Sequence, residues 1–65
     1  MQYLEELRLA EARALLADED LPVAEVAMRA GFKDAAYFAR RFRRATGHAP
    51  VAFRMRARLS GAPGG

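Results

Sequence analysis

The chain has 65 residues, with 11 basic and 8 acidic side chains, a net charge of +3, one histidine and no cysteine. A chain of that length forms one small domain that buries only about 60% of its unfolded surface, and without cysteine neither a disulfide nor a thiolate zinc site can reinforce it. No apolar run approaches the roughly 20 residues of a membrane span, and the start MQYLEELRLAE lacks the basic opening of a signal peptide, so the chain is expected to be soluble and cytoplasmic, with no membrane partner.

The charge is unevenly spread. Residues 1–28 carry Arg8 and Arg13 against seven acids, a net −5, whereas residues 29–65 carry nine basic residues against Asp34 alone, a net +8. A split of this kind points to a polyanion on the basic side. All but one of the basic residues are arginine, whose planar fork suits phosphate and guanine better than the point charge of lysine. The competing reading is a composition rich in arginine with solvated faces, and only the placement of the charges separates the two.

Residues 2–17, QYLEELRLAEARALLA, are strong helix formers without internal Gly or Pro. At about 100° per residue, Tyr3, Leu7, Ala10, Ala14 and Ala17 share one face, while Leu4, Leu9, Ala12, Leu15 and Leu16 form a second, broader band. A helix apolar on two sides needs cover on both, and the remaining residues offer too little surface for that. A preceding segment or a second copy of the chain is therefore expected against this helix. Asp18, Glu19 and Asp20 end it as an acidic loop. The next helix is expected over 22–30, with Pro22 at its first position, where a missing N–H costs nothing, and Val23, Val26, Ala27 and Ala30 facing inward.

Gly31 stops that helix, because glycine accepts the positive φ needed just past a helix end, and Phe32 anchors the turn in the core. Asp34 is suited to cap a helix over 35–46. Phe38 and Phe42 lie four apart on one face of it, with Ala35 and Ala45 beside them. Ala36, Arg40 and Arg43 occupy the opposite face, flanked by Ala39 and Arg44. The arginines thus stand opposite the phenylalanines, and small residues among them would let the helix approach a groove closely. Gly47 closes this helix. Pro50 opens a last one, PVAFRMRARL, with Val51, Phe53 and Met55 toward the core and Arg54, Arg56 and Arg58 outward; residues 60–65, SGAPGG, form a flexible tail. The expected fold is all-α, a small bundle of about four helices containing a helix-turn-helix.

One histidine (His48), no cysteine and a single serine in the tail leave no nucleophile–base pair, metal-ligand cluster or cofactor site to assemble, which argues against an enzyme. The acids at 18–20 are accounted for as helix-end charges.

The run Leu21–Pro22–Val23–Ala24–Glu25–Val26–Ala27, then Ala30–Gly31–Phe32, Asp34, Tyr37–Phe38, Arg40, Phe42, Gly47, Pro50 and Phe53–Arg54 resembles the C-terminal signature of AraC/XylS-type bacterial transcription regulators. Tyr3, Arg8, Leu9, Ala12, Leu15 and Leu16 look like the linker helix that precedes it. The resemblance implies a homeodomain-like DNA-binding unit over 21–58, the second of two such units, with 2–17 as the linker helix and the first unit not in this chain. It implies double-stranded DNA as partner, with RNA polymerase as a further partner of the family. It makes 35–46 the recognition helix, places Ala35, Ala36, Ala39 and Arg40 toward the groove, with Arg40 the base-contact candidate, and leaves Arg43, Arg44 and Arg54 for phosphates. Arg8 is expected in a structural ion pair. The alternative is a module that docks on a protein, or on itself, through the apolar first helix without binding DNA.

Overall fold

A computed structural model describes residues 2–61. It contains four helices: α1 (Gln2–Asp18), α2 (Val23–Arg29), α3 (Ala35–Thr46) and α4 (Pro50–Gly61). There is no strand among the described residues. Helix α1 packs against α2 and α4, and α3 rests on α2 and α4.

The termini follow from local chemistry. Pro22 sits just outside α2 as its N-cap, with an extended ψ of 152°, one residue earlier than its expected place inside the helix. It still contributes its carbonyl, which accepts from the Val26 amide at 3.0 Å. At the other end of α2 the Gly31 amide donates to the Met28 carbonyl and the Phe32 amide to the Ala27 carbonyl, at 3.1 and 2.8 Å. These paired bonds form a Schellman closure, which needs a positive φ at the residue between them; Gly31 supplies it at 103°. The same closure buries Phe32 against the helix it has just left. The Asp34 side chain caps α3 by accepting from the Ala36 amide at 2.9 Å. Gly47, at φ 86°, ends it through a bond from its amide to the Arg43 carbonyl.

The core consists of Leu9, Ala12 and Leu16 from α1, Val26, Ala27 and Ala30 around α2, and Phe32, Phe38 and Phe42, with Leu15, Leu21, Val23 and Phe53 packed at its edge. The aromatic rings run as a chain through it: Phe32 to Phe38 at 5.0 Å, Phe38 to Phe42 at 5.4 Å and Phe42 to Phe53 at 5.2 Å. Tilted and edge-on contacts of this kind add to the burial energy of each ring.

Several expected positions differ. Ala35 and Ala45 are exposed, because the two large rings of α3 fill the space between it and its neighbours. Val51 and Met55 are exposed as well; α4 turns Pro50, Phe53 and Arg54 inward instead, which leaves Val51 and Met55 on its far side. On α1 the band of Leu9, Ala12 and Leu16 is buried, whereas Tyr3, Leu4, Leu7, Ala10 and Ala14 face outward. Helix α4 continues through Ser60 and Gly61, which were expected in the tail; residues 62–65 of that tail lie outside the described residues.

Candidate nucleic-acid interface

The buried Phe38 and Phe42 hold one side of α3 against the core, and that fixes what the other side presents. Ala36, Arg40, Arg43 and Arg44 are all exposed there, within about 60° of Arg40 around the helix axis. Ala35 is exposed at the first turn, and Ala39 is half-buried toward the side of the helix. An open groove of about 520 Å³ runs along this surface, lined by Tyr37, Arg40, Arg41, Arg43 and Arg44.

Tyr37 belongs to this surface, and spacing could have placed it there: it lies about 60° from Arg40, closer than Ala39 at about 100°. The residue is 42% exposed. The guanidinium carbons of Arg40 and Arg41 lie 6.0 and 5.9 Å from its centre, at the limit of a cation–π contact.

Arg41 is held differently from its neighbours. Its Nε and a terminal nitrogen donate to the two oxygens of Glu5, at 2.7 and 3.1 Å, so that the fork clamps α3 onto α1. The Arg41 hydrogen bonds hold the Glu5 carboxyl below the usual carboxylate range; desolvation opposes this, while the Arg41 charge, the Tyr37 hydroxyl and the charge of Arg8 reinforce it. Arg8 was expected in an ion pair. It instead lies over the turn, its Nε 2.9 Å from where a Cβ at Gly31 would stand, and it acts on Glu5 through space.

Arg54 does not face outward as expected. It is half-buried, and it reaches back across the end of α1, where its Nε donates to the Leu16 carbonyl at 3.1 Å and a terminal nitrogen donates to the Leu21 carbonyl. Leu16 is in the last turn of α1, where carbonyls lack a partner within the helix, so Arg54 joins α4 to the α1–α2 connection. Arg58 works alongside it, pairing with Asp20 at 2.8 Å and donating to the Glu19 carbonyl. The acidic loop therefore meets α4. No residue spacing signals these contacts, which join positions more than thirty apart in the chain.

A basic helix face set off from the core by its own aromatic side, preceded by a short helix and a tight glycine turn, is helix-turn-helix geometry. The sequence matches the family described as Helix-turn-helix domain over residues 1–56. The chain belongs to the AraC-type helix-turn-helix family. It is 48% identical over 56 residues to the HTH-type transcriptional activator RhaR of Enterobacter sp. (strain 638), a match covering 86% of this chain and 20% of that protein. It is 37% identical over 54 residues to the arabinose operon regulatory protein of Escherichia coli (strain K12), covering 83% of this chain and 18% of the relative. An uncharacterized HTH-type transcriptional regulator, YijO, also from Escherichia coli (strain K12), is 45% identical over 53 residues, covering 82% and 19%. No solved structure matches. The chain thus spans about a fifth of the length of these curated relatives. The names of these relatives are those of transcriptional activators and regulators. Among the described residues, no helix is long and apolar enough to cross a membrane.

Proposed function

We propose that this AraC-type domain binds double-stranded DNA by laying α3 in the major groove, as the second helix-turn-helix unit of a cytoplasmic transcription regulator. The observation that carries the proposal is the exposed face of α3, where Arg40, Arg43 and Arg44 stand with Ala36 opposite a buried phenylalanine side. Arg40, at the centre of that face, is assigned to a base edge, since a bidentate arginine on guanine is the commonest specific contact. Arg43 and Arg44 are assigned to phosphates, which set register and not sequence. Ala35, Ala36 and Ala39 permit close approach and offer apolar contact to a thymine methyl. With three alanines among the groove positions, the unit supplies affinity and shape readout more than base discrimination. Arg54 is assigned to the scaffold, on its inward hydrogen bonds.

The outward apolar side of α1, with Tyr3 73% and Leu7 50% exposed, is assigned to an additional part of the protein. We favour a preceding helix-turn-helix unit over a second copy of the chain, because the relatives are about five times longer than the matched segment. The residues 2–17 then serve as the linker helix of a larger DNA-binding domain, and a contact with RNA polymerase belongs to that larger assembly.

Salt dependence tests the DNA reading. Two or three neutralised phosphates imply a slope of about −2 to −3 in log affinity against log salt, a loss of about 10- to 40-fold between 50 and 200 mM. Fluorescence anisotropy on labelled duplexes of about 20 base pairs, two turns of B-DNA, measures it. Arg40→Ala should weaken binding and leave the melting temperature unchanged. A chain that binds no duplex at low salt, yet self-associates through residues 3–17, refutes the proposal in favour of a protein-docking module.

A further inference from the structure

The interface contains one aromatic side chain that the assignment above does not use. Tyr37 stands on the exposed side of α3, and its ring is the outermost of the aromatic chain, 6.3 Å from buried Phe32. It is therefore backed by the core on one side, while the residue as a whole stays partly exposed. Two guanidinium groups approach it, from Arg41 and Arg40, at 5.9 and 6.0 Å. They are not equivalent. Arg41 has its fork on both oxygens of Glu5, 2.7 and 3.1 Å away, so its charge is already partnered and its position set by α1. Arg40 is exposed, and it lies one turn of helix from Tyr37, where residues three apart are neighbours.

An exposed arginine has several rotatable bonds, and ordering such a side chain on a ligand costs about two- to tenfold in affinity. A ring that limits the guanidinium to one region removes part of that cost before binding. An aromatic face is suited to this role because arginine stacks on it without surrendering the N–H groups at the edge of its plane. Those N–H groups are the ones that meet O6 and N7 of guanine.

We propose that Tyr37 is the positioning residue of this interface: its ring holds the Arg40 guanidinium on the groove side of α3, and the Glu5–Arg41 clamp holds that ring in register from α1. The proposal rests on the reading that α3 enters the major groove. It makes the ring, not the hydroxyl, the effective group, and it makes guanine preference a property of the Tyr37–Arg40 pair.

The test uses one duplex of about 20 base pairs, two turns of B-DNA, enriched by the 65-residue chain from a random pool, and the same duplex with 7-deazaguanine in place of guanine, which lacks the N7 acceptor. The parent chain should prefer guanine by about fivefold or more. Tyr37→Phe should keep that preference. Tyr37→Leu should bring it below about twofold, with helicity and melting temperature retained, and adding Arg40→Ala to Tyr37→Leu should remove nothing further beyond the loss seen in Arg40→Ala alone. In the free chain, Arg40 side-chain protons should show an upfield ring-current shift that persists in Tyr37→Phe. Absence of that shift refutes the proposal whatever the stability of the variants. Equal losses in Tyr37→Phe and Tyr37→Leu, full preference in Tyr37→Leu, or losses that multiply in the double variant refute it as well. A parent chain that binds both duplexes equally refutes it while leaving the DNA reading intact. A chain that enriches no duplex overturns the DNA reading itself.

Discussion

Arg54→Met separates the two roles that the sequence and the tertiary structure give to one residue. Methionine keeps the unbranched stem and removes the guanidinium. The change deprives the Leu16 carbonyl of the Nε donor at 3.1 Å and the Leu21 carbonyl of its terminal-nitrogen donor. Hydrogen bonds from a charged donor contribute about 1.5–3 kcal/mol each. Arg54 is only half-buried, so water can reach the vacated carbonyls, and the lower end of the range applies: about 2–3 kcal/mol for the pair. A domain of this size has about 3–10 kcal/mol in total. At about 4–8 °C per kcal/mol the melting temperature should fall by roughly 10–20 °C, and with a urea slope near 1 kcal/mol/M the midpoint should drop by about 2–3 M. Urea titration followed by far-ultraviolet circular dichroism measures this, and duplex titration on the folded variant measures the rest. If Arg54 were a phosphate contact, the urea midpoint would stay within about 0.5 M while the salt slope lost close to one unit of its magnitude. That second pattern would refute the structural assignment.

Other expected outcomes follow from the same geometry. Phe42→Ala removes the ring between Phe38 and Phe53 and should cost about 3–5 kcal/mol, enough to abolish the cooperative thermal transition; a retained sigmoidal melt would show the core to be wrongly placed. Gly47→Ala meets no atom within 4 Å and should cost only the backbone term, about 1–2 kcal/mol. Gly31→Ala adds a clash with Arg8 Nε at 2.9 Å to a φ of 103° and should cost more, which paired urea melts would show. The pH dependence comes from Glu5. Its carboxyl is lowered in the folded chain from an ordinary value of 4.5, so its contribution is fully present above that pH and is lost as pH falls through the folded value. The stability gap between the parent chain and Glu5→Gln should therefore be largest near neutrality and close below pH 4.5. A gap that widens on acidification has the wrong sign.

The elements of this fold are legible residue by residue because their signals are local. Gly31, Asp34 and Gly47 each act within one turn of chain, and the structure uses them as the sequence predicts. Phe38 and Phe42, four apart, had only one face of α3 to share, which turned Arg40, Arg43 and Arg44 the other way. The family is legible for the same reason, since its signature is a string of caps, turn residues and core contacts at fixed spacing. The roles of individual charges are not. Arg40 and Arg41 are adjacent and chemically identical, yet only Arg41 meets Glu5, 36 residues earlier. Arg54 and Arg58 look like part of the basic surface, and they become braces for the α1–α2 connection because the packing of α4 on α1 brings those carbonyls within reach. Local sequence determined where helices start, stop and turn their apolar sides, through interactions that span a few residues. Which arginines stay available to a phosphate or a base was decided by the tertiary structure alone, because a long flexible cation takes whatever acceptor the fold places within its reach.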